Sequence, residues 1–283
     1  MIEEQDKIVS YLSVATRGSK VRSSDVYDET LRDFGYDGSG VVIAVLDSGV
    51  DNEHFSLDDF SDNNFDNENQ PDDLSDPKWL SGCDATSWNS QECNDGEFDP
   101  DDGNGHGTHV AGIALGTGDD RRINQGYAPG SYLVDVKVMT DSGGSAGGDE
   151  GPIIQGLQWV LQNVDTDWGN NDSSEGIDIM TMSFGSGSSP VGGNDQGDDG
   201  NNSAARLVNN CADAGILPIA AIGNDGTNRV TSVGAADSAI TVGAIDDQNT
   251  IQRNDDLIAD YSNSGPRVDD NDENKWDELK PDV

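Results

Sequence analysis

The run Val41-Val-Ile-Ala-Val-Leu46 constrains this chain more than any other stretch. It is continuously apolar, mostly β-branched, and closed at once by Asp47-Ser48-Gly49. A strand with one wet face would alternate polar and apolar residues, so a short unbroken run of this kind reads as a strand covered on both faces. Four further segments behave similarly: SYLVDVKVM from Ser131, GIDIMTMSFG from Gly176, ILPIAAIGN from Ile216 and AITVGAI from Ala239. Helical patterns lie between them. HGTHVAGIALG starts at His106, EGPIIQGLQWVLQNV carries Ile153, Ile154, Leu157, Val160 and Leu161 at helical spacing, and NNSAARLVNNCADAG ends on a Gly stop. A shorter helical piece is expected at SSDVYDETLRDFG, residues 23–35. Strand–helix–strand alternation covers both faces of a sheet, which predicts an α/β fold with a mainly parallel central sheet flanked by helices. No internal repeat interrupts it.

The domain is expected to occupy residues 37–283, behind a polar segment, 1–36, that is either the tail of a propeptide or the start of the mature domain. Residues 51–104 form an acidic insertion rich in Asp, Asn and Ser, too long for an ordinary connection. The Gly/Ser/Asp stretch at 185–202 reads as a loop within the domain.

Charge narrows the function classes. Fifty-five acidic residues face fifteen basic ones, giving a formal net charge of −40. Nucleic acid is therefore excluded as a main partner, because phosphate contacts need Lys and Arg. The apolar runs favour a folded, salt-adapted surface, whose self-repulsion is screened in brine, over a disordered acidic chain. Cys83 and Cys93 lie ten apart and could form a disulfide or stay as thiols, whereas Cys211 reads as a small buried helix residue. A disulfide would suit a secreted protein. No run is long enough to span a membrane. The start, MIEEQDKIVSYL, is acidic and polar and is no signal peptide, so an export signal is expected outside this chain.

In open α/β sheets, active groups gather beyond the carboxyl ends of the strands. Asp47, Ser183 and Asn224 sit at three such ends, and His106 opens a helix after glycines. A carboxylate, an imidazole and a carboxamide so placed form a constellation suited to acyl transfer.

These same segments, VLDSGVD, GHGTHVAG, MSFG, AAIGNDG, YSNSGP and LKPDV, resemble the subtilisin-like serine peptidases (the subtilases) in order and spacing across residues 37–283. The resemblance implies a three-layer subtilisin-like fold lacking its C-terminal part. It implies Asp47 as the triad carboxylate, His106 as general acid/base and Asn224 as oxyanion donor. The chemistry is coherent: the carboxylate fixes one imidazole nitrogen so that the other can take the nucleophile's proton. His109 follows His106 by three residues, without the i, i+4 spacing and adjacent Glu of a zinc helix. It and His54 are expected to be packed structural histidines.

The nucleophile is missing. The family's Gly-Thr-Ser-Met-Ala segment does not occur, and the chain stops at LKPDV. A fragment of a longer protease is expected, inactive as written, with a peptide-binding pseudo-protease as the alternative. Polypeptide substrates are expected to add as a strand between two edges. By resemblance these are Ser183, Phe184 and Gly185 on one side and Gly143 and Gly144 on the other, with Ala221, Ile222 and Gly223 lining the primary specificity pocket. No catalytic cofactor is implied. Structural calcium is the expected metal, with Asp95, Asp99, Asp101 and Asp102 as candidate ligands. The chain's own propeptide is a further partner, and the protein is expected to be an extracellular or cell-surface monomer.

Overall fold

The computed structural model describes residues 15–60, 77–86, 93, 99–118, 124–141, 150–169, 175–185, 197–276 and 278–283. The run predicted to be buried on both faces becomes β1 (Val42–Asp47), buried along its whole length. Five more strands flank it: β2 (Trp79–Asp84), β3 (Tyr132–Lys137), β4 (Ile179–Met182), β5 (Leu217–Ala221) and β6 (Ile240–Val242). They form one sheet in the order β2-β3-β1-β4-β5-β6. Every neighbouring pair is parallel, as the helical crossovers require.

The period of two along β1 sorts its side chains between two cores. Val42, Ala44 and Leu46 join Val134, Val136, Met180 and Met182 beneath α2 (Glu150–Gln162) and α3 (Ser203–Asp213), which supply Leu157, Val160, Val208 and Cys211. Ile43 and Val45 face the other way, with Leu133, towards Ala111 and Leu115 of α1 (His106–Leu115). Each fully buried Val or Leu contributes about 1.5–3 kcal/mol. Helices therefore cover both faces, giving three layers. Cys211 is buried, and burial pushes its thiol up to about 12. Among the described residues no helix is long and apolar enough to cross a membrane.

Chain order reverses beside β1: β2 and β3 lie on one side of it, β4, β5 and β6 on the other. The crevice between the carboxyl ends of β1 and β4 is thus the topological switch point, where α/β sheets bind ligands.

Three details depart from the sequence reading. The segment expected to be helical at 23–35 makes only one turn, closed by the Asp33 and Phe34 amides on Thr30 O. Ser24 Oγ accepts from the Val26 and Tyr27 amides, and Asp33 Oδ2 accepts from the Thr30 amide and hydroxyl. These local bonds compete with a helical ladder, and Gly35 at φ 84° ends the turn. Second, the acidic insertion contains β2, tied by a Cys83–Cys93 disulfide. Third, the last apolar run splits into β6 and β7 (Ile245–Asp246). The latter pairs antiparallel with β8 (Leu257–Ile258) in a separate ribbon.

β2 enters over a buried cation. Lys78 is fully buried; its Nζ donates to Pro129 O at 2.7 Å and to Ser131 O, and lies 4.5 Å from the Phe60 ring centroid. Burial lowers its pKa to about 7 against the pull of Asp37.

Candidate active site

Asp47 ends β1 with its side chain fully buried, while His106 opens α1 with its side chain 44% exposed. His106 Nδ1 stands 2.7 Å from Asp47 Oδ1. The same oxygen accepts the Ser48 amide at 2.7 Å, and Oδ2 is buried with no hydrogen-bond partner. An ionised carboxylate so far from water demands compensation, and the imidazole supplies it. The hydrogen bond donated to Asp47 raises the His106 pKa above its ordinary 6.5 despite partial burial, helped by the charges of Asp47 and Asp102. With Nδ1–H committed to Asp47, Nε2 is left as the basic nitrogen.

The pair is held by its neighbours. Ser48 Oγ accepts the Gly107 amide at 3.0 Å and donates to Asp102 Oδ1 at 2.9 Å. Asp102 Oδ1 also accepts the Asn104 and Gly105 amides, and Oδ2 accepts the Thr108 amide and hydroxyl at 2.9 and 2.7 Å. This carboxylate caps α1, whose N-cap residue Gly105 has no side chain to do so. Burial alone would raise the pKa of Asp102, but the bonds from Thr108, Gly105 and Ser48 hold it below the ordinary value. Gly107 permits close approach: a Cβ there would lie 2.0 Å from Gly49 O. Behind this turn, the buried Asp135 Oδ2 accepts the Val50 amide at 2.8 Å.

Asp102 is saturated by N–H and O–H donors, and Asp101 uses its carbonyl to accept from Lys137 Nζ. Among the described residues the acidic groups within shared ligand reach are Asp269, Asp270 and Glu278, not Asp99, Asp101 and Asp102. Lys275 Nζ sits on two of those three, Asp269 and Glu278. Asp95 lies outside the described residues.

The other expected site residues lie along the same carboxyl edge. Ser183 and Phe184 are half-buried and Gly185 exposed beyond β4; Ala221 is half-buried, Ile222 buried, and Gly223 and Asn224 follow β5, with Asn224 exposed. β4 and β5 are adjacent, which sets these two segments side by side. Gly143 and Gly144 lie outside the described residues. His109, expected to be packed, is exposed on the outer side of α1 and lines the groove facing β7 and β8. His54 is half-buried, stacked on Phe55 at 4.4 Å, with its Nδ1 accepting the Ser56 amide. The roles of Ser48 and Asp102 were missed in sequence, because the N-cap position itself is held by Gly105.

Fold and site together define an α/β domain with a buried aspartate and a helix-borne histidine at the switch point of a parallel sheet, an arrangement that activates a nucleophile in serine peptidases. The chain belongs to the subtilase family, whose sequence model matches residues 38–281. It is 35% identical to serine protease AprX of Bacillus subtilis (strain 168) over 188 residues, which are 65% of this chain and 38% of that protein. It is 28% identical to subtilisin DY of Bacillus licheniformis over 216 residues, 75% of this chain and 59% of that one. Among solved structures it is similar to a cold-adapted subtilisin-like serine proteinase, with TM-score 0.53 and 26% identity, covering 81% of this chain and 61% of that one. The matched region therefore spans less than two thirds of each of these relatives, from 38% to 61% of their length.

Proposed function

We propose that this chain forms the Asp–His part of a serine endopeptidase that hydrolyses polypeptides through an acyl-enzyme. The observation that carries the reading is the 2.7 Å contact between a fully buried Asp47 and a half-exposed His106. In this account Asp47 fixes the imidazole, and His106 Nε2 takes the nucleophile's proton and returns it to the leaving amine. Asn224 donates its side-chain N–H to the oxyanion that develops on the scissile carbonyl. The substrate backbone adds as a strand alongside Ser183, Phe184 and Gly185, with Gly143 and Gly144 on its other edge and its side chain over Ala221, Ile222 and Gly223.

Among the described residues no serine hydroxyl hydrogen-bonds His106, and no Gly-Thr-Ser-Met-Ala segment occurs in the 283 residues. In this reading the nucleophile is a serine of such a segment, carried by the complete protease. Secretion, a saline setting, a monomeric state and a propeptide partner belong to the same reading, supported by the acidic surface, the disulfide and the family. No step is routed through calcium.

Sequencing the gene beyond the Val283 codon tests this. A frame that runs into a Gly-Thr-Ser-Met-Ala segment supports the protease. A frame without it replaces the protease by the second reading, a peptide-binding pseudo-protease.

A further inference from the structure

The loop that carries Asn224 is fastened by one side chain from a different part of the chain. Asn263 is only 3% exposed. Its backbone N–H donates to Gly223 O at 2.9 Å, on the residue before Asn224. Its Oδ1 accepts the Asp225 amide at 2.8 Å, on the residue after, and the Thr227 amide at 3.2 Å. Its Nδ2 donates to Arg229 O at 2.9 Å. Neighbouring residues extend the seam, with Gly226 N–H donating to Tyr261 O at 2.8 Å and Ser264 N–H to Thr227 O at 2.9 Å.

Asn224 itself is exposed, and among the described residues its carboxamide makes no hydrogen bond. Its direction is therefore set by the backbone on either side, both sides of which Asn263 holds. Only a planar group with an acceptor and a donor can do this; Asp would lose the donor and Leu both. The packing is tight: Gly223 sits at φ 120°, and a Cβ on it would lie 2.3 Å from Asn263 Nδ2.

We propose that Asn263 is a positioning residue that aims the Asn224 carboxamide at the oxyanion. This rests on the reading of Asn224 as oxyanion donor. A preorganised donor stabilises the transition state because no reorganisation is needed when charge appears. A loop free to shift would keep substrate affinity and lose rate.

A double-mutant cycle in the complete protease, read as kcat and KM on a chromogenic peptide, tests the proposal. N263A is expected to lower kcat about 10- to 100-fold with KM changed by less than about twofold. In an N224A background it should cost less than about twofold, since the donor it positions is gone. An activity-free arm follows hydrogen exchange in the 283-residue chain. The Asp225 and Thr227 amides should exchange faster in N263A and remain protected in N263D, which keeps the acceptor. If N263A does not fold, N263D carries the same kinetic cycle, because it still loses the bond to Arg229 O. Additive losses in the cycle, or unchanged exchange at 225 and 227, overturn the proposal. An N224A variant with undiminished kcat overturns the oxyanion reading itself, in an arm that does not involve Asn263, so the two failures are told apart.

Discussion

Ser48 Oγ donates to Asp102 Oδ1 at 2.9 Å and accepts from the Gly107 amide at 3.0 Å, so the turn after β1 and the first turn of α1 share one hydroxyl. Asp47 and His106, fifty-nine residues apart in sequence, flank that hydroxyl on its two sides. The alignment of the dyad is thus a property of the Ser48–Asp102 link as much as of the two residues themselves.

Removing Asp102 should unseat the histidine and uncap α1 together. D102A leaves the Thr108, Gly105 and Asn104 amides without their acceptor, and a loss of about 3 kcal/mol is expected for bonds to a charged group. S48A breaks only the link and should cost about 1 kcal/mol. Urea unfolding of both variants checks the order; equal losses would mean that the cap carries nothing beyond the link.

The two partly buried histidines should titrate in opposite directions. His106 is raised by its bond to Asp47, whereas burial lowers His54. A chain with three histidines gives resolvable imidazole signals in proton NMR. The expected result is one midpoint above 6.5 and one below, with D47N bringing down only the higher. Because the folded pKa of His106 is raised, its contribution to stability is full below the unfolded value of 6.5 and is lost as pH rises through the folded value.

Lys78 makes a prediction of opposite slope. Its pKa falls from 10.5 to about 7 on folding, so between those values the unfolded chain binds more protons. Stability should therefore rise with pH from about 7 and level off near 10.5, as the cost of burying the charge is relieved. K78M should remove that rise in a series of melting curves, while leaving the Pro129 and Ser131 carbonyls without this donor. A rise that persists in K78M would assign it elsewhere.

A net charge of −40 on a folded surface predicts that salt stabilises. The unfolding midpoint should climb from low to molar sodium chloride. A flat or falling series would remove salt adaptation from the account.

The parts of this molecule legible in sequence were those with an unmistakable solvent pattern. β1 shows itself because all its residues are covered, and α2 because Ile153, Leu157 and Val160 repeat at helical spacing. β2 was hidden: Trp79-Leu-Ser-Gly-Cys-Asp84 is short, interrupted by small polar residues, and sits in an Asp- and Asn-rich stretch. As an edge strand it needs only one neighbour, β3, and a cover. At the site, Asp47, His106 and Asn224 stand at segment ends where the chain announces them. The capping role of Asp102 was not legible because one Asp among many carries no label; what distinguishes it is five donors that only the fold gathers. His109 failed for a similar reason, since helical spacing alone does not say which face of α1 the sheet covers.

The central claim is that Asp47 and His106 form the dyad that activates a serine nucleophile in the complete protease. Labelling with a serine-directed fluorophosphonate tests it most directly, on the 283-residue chain and on the product of the extended reading frame. The account predicts no label on the former, one label on the latter, and loss of that label in H106A. An extended product that stays unlabelled, or labels equally well without His106, would contradict it.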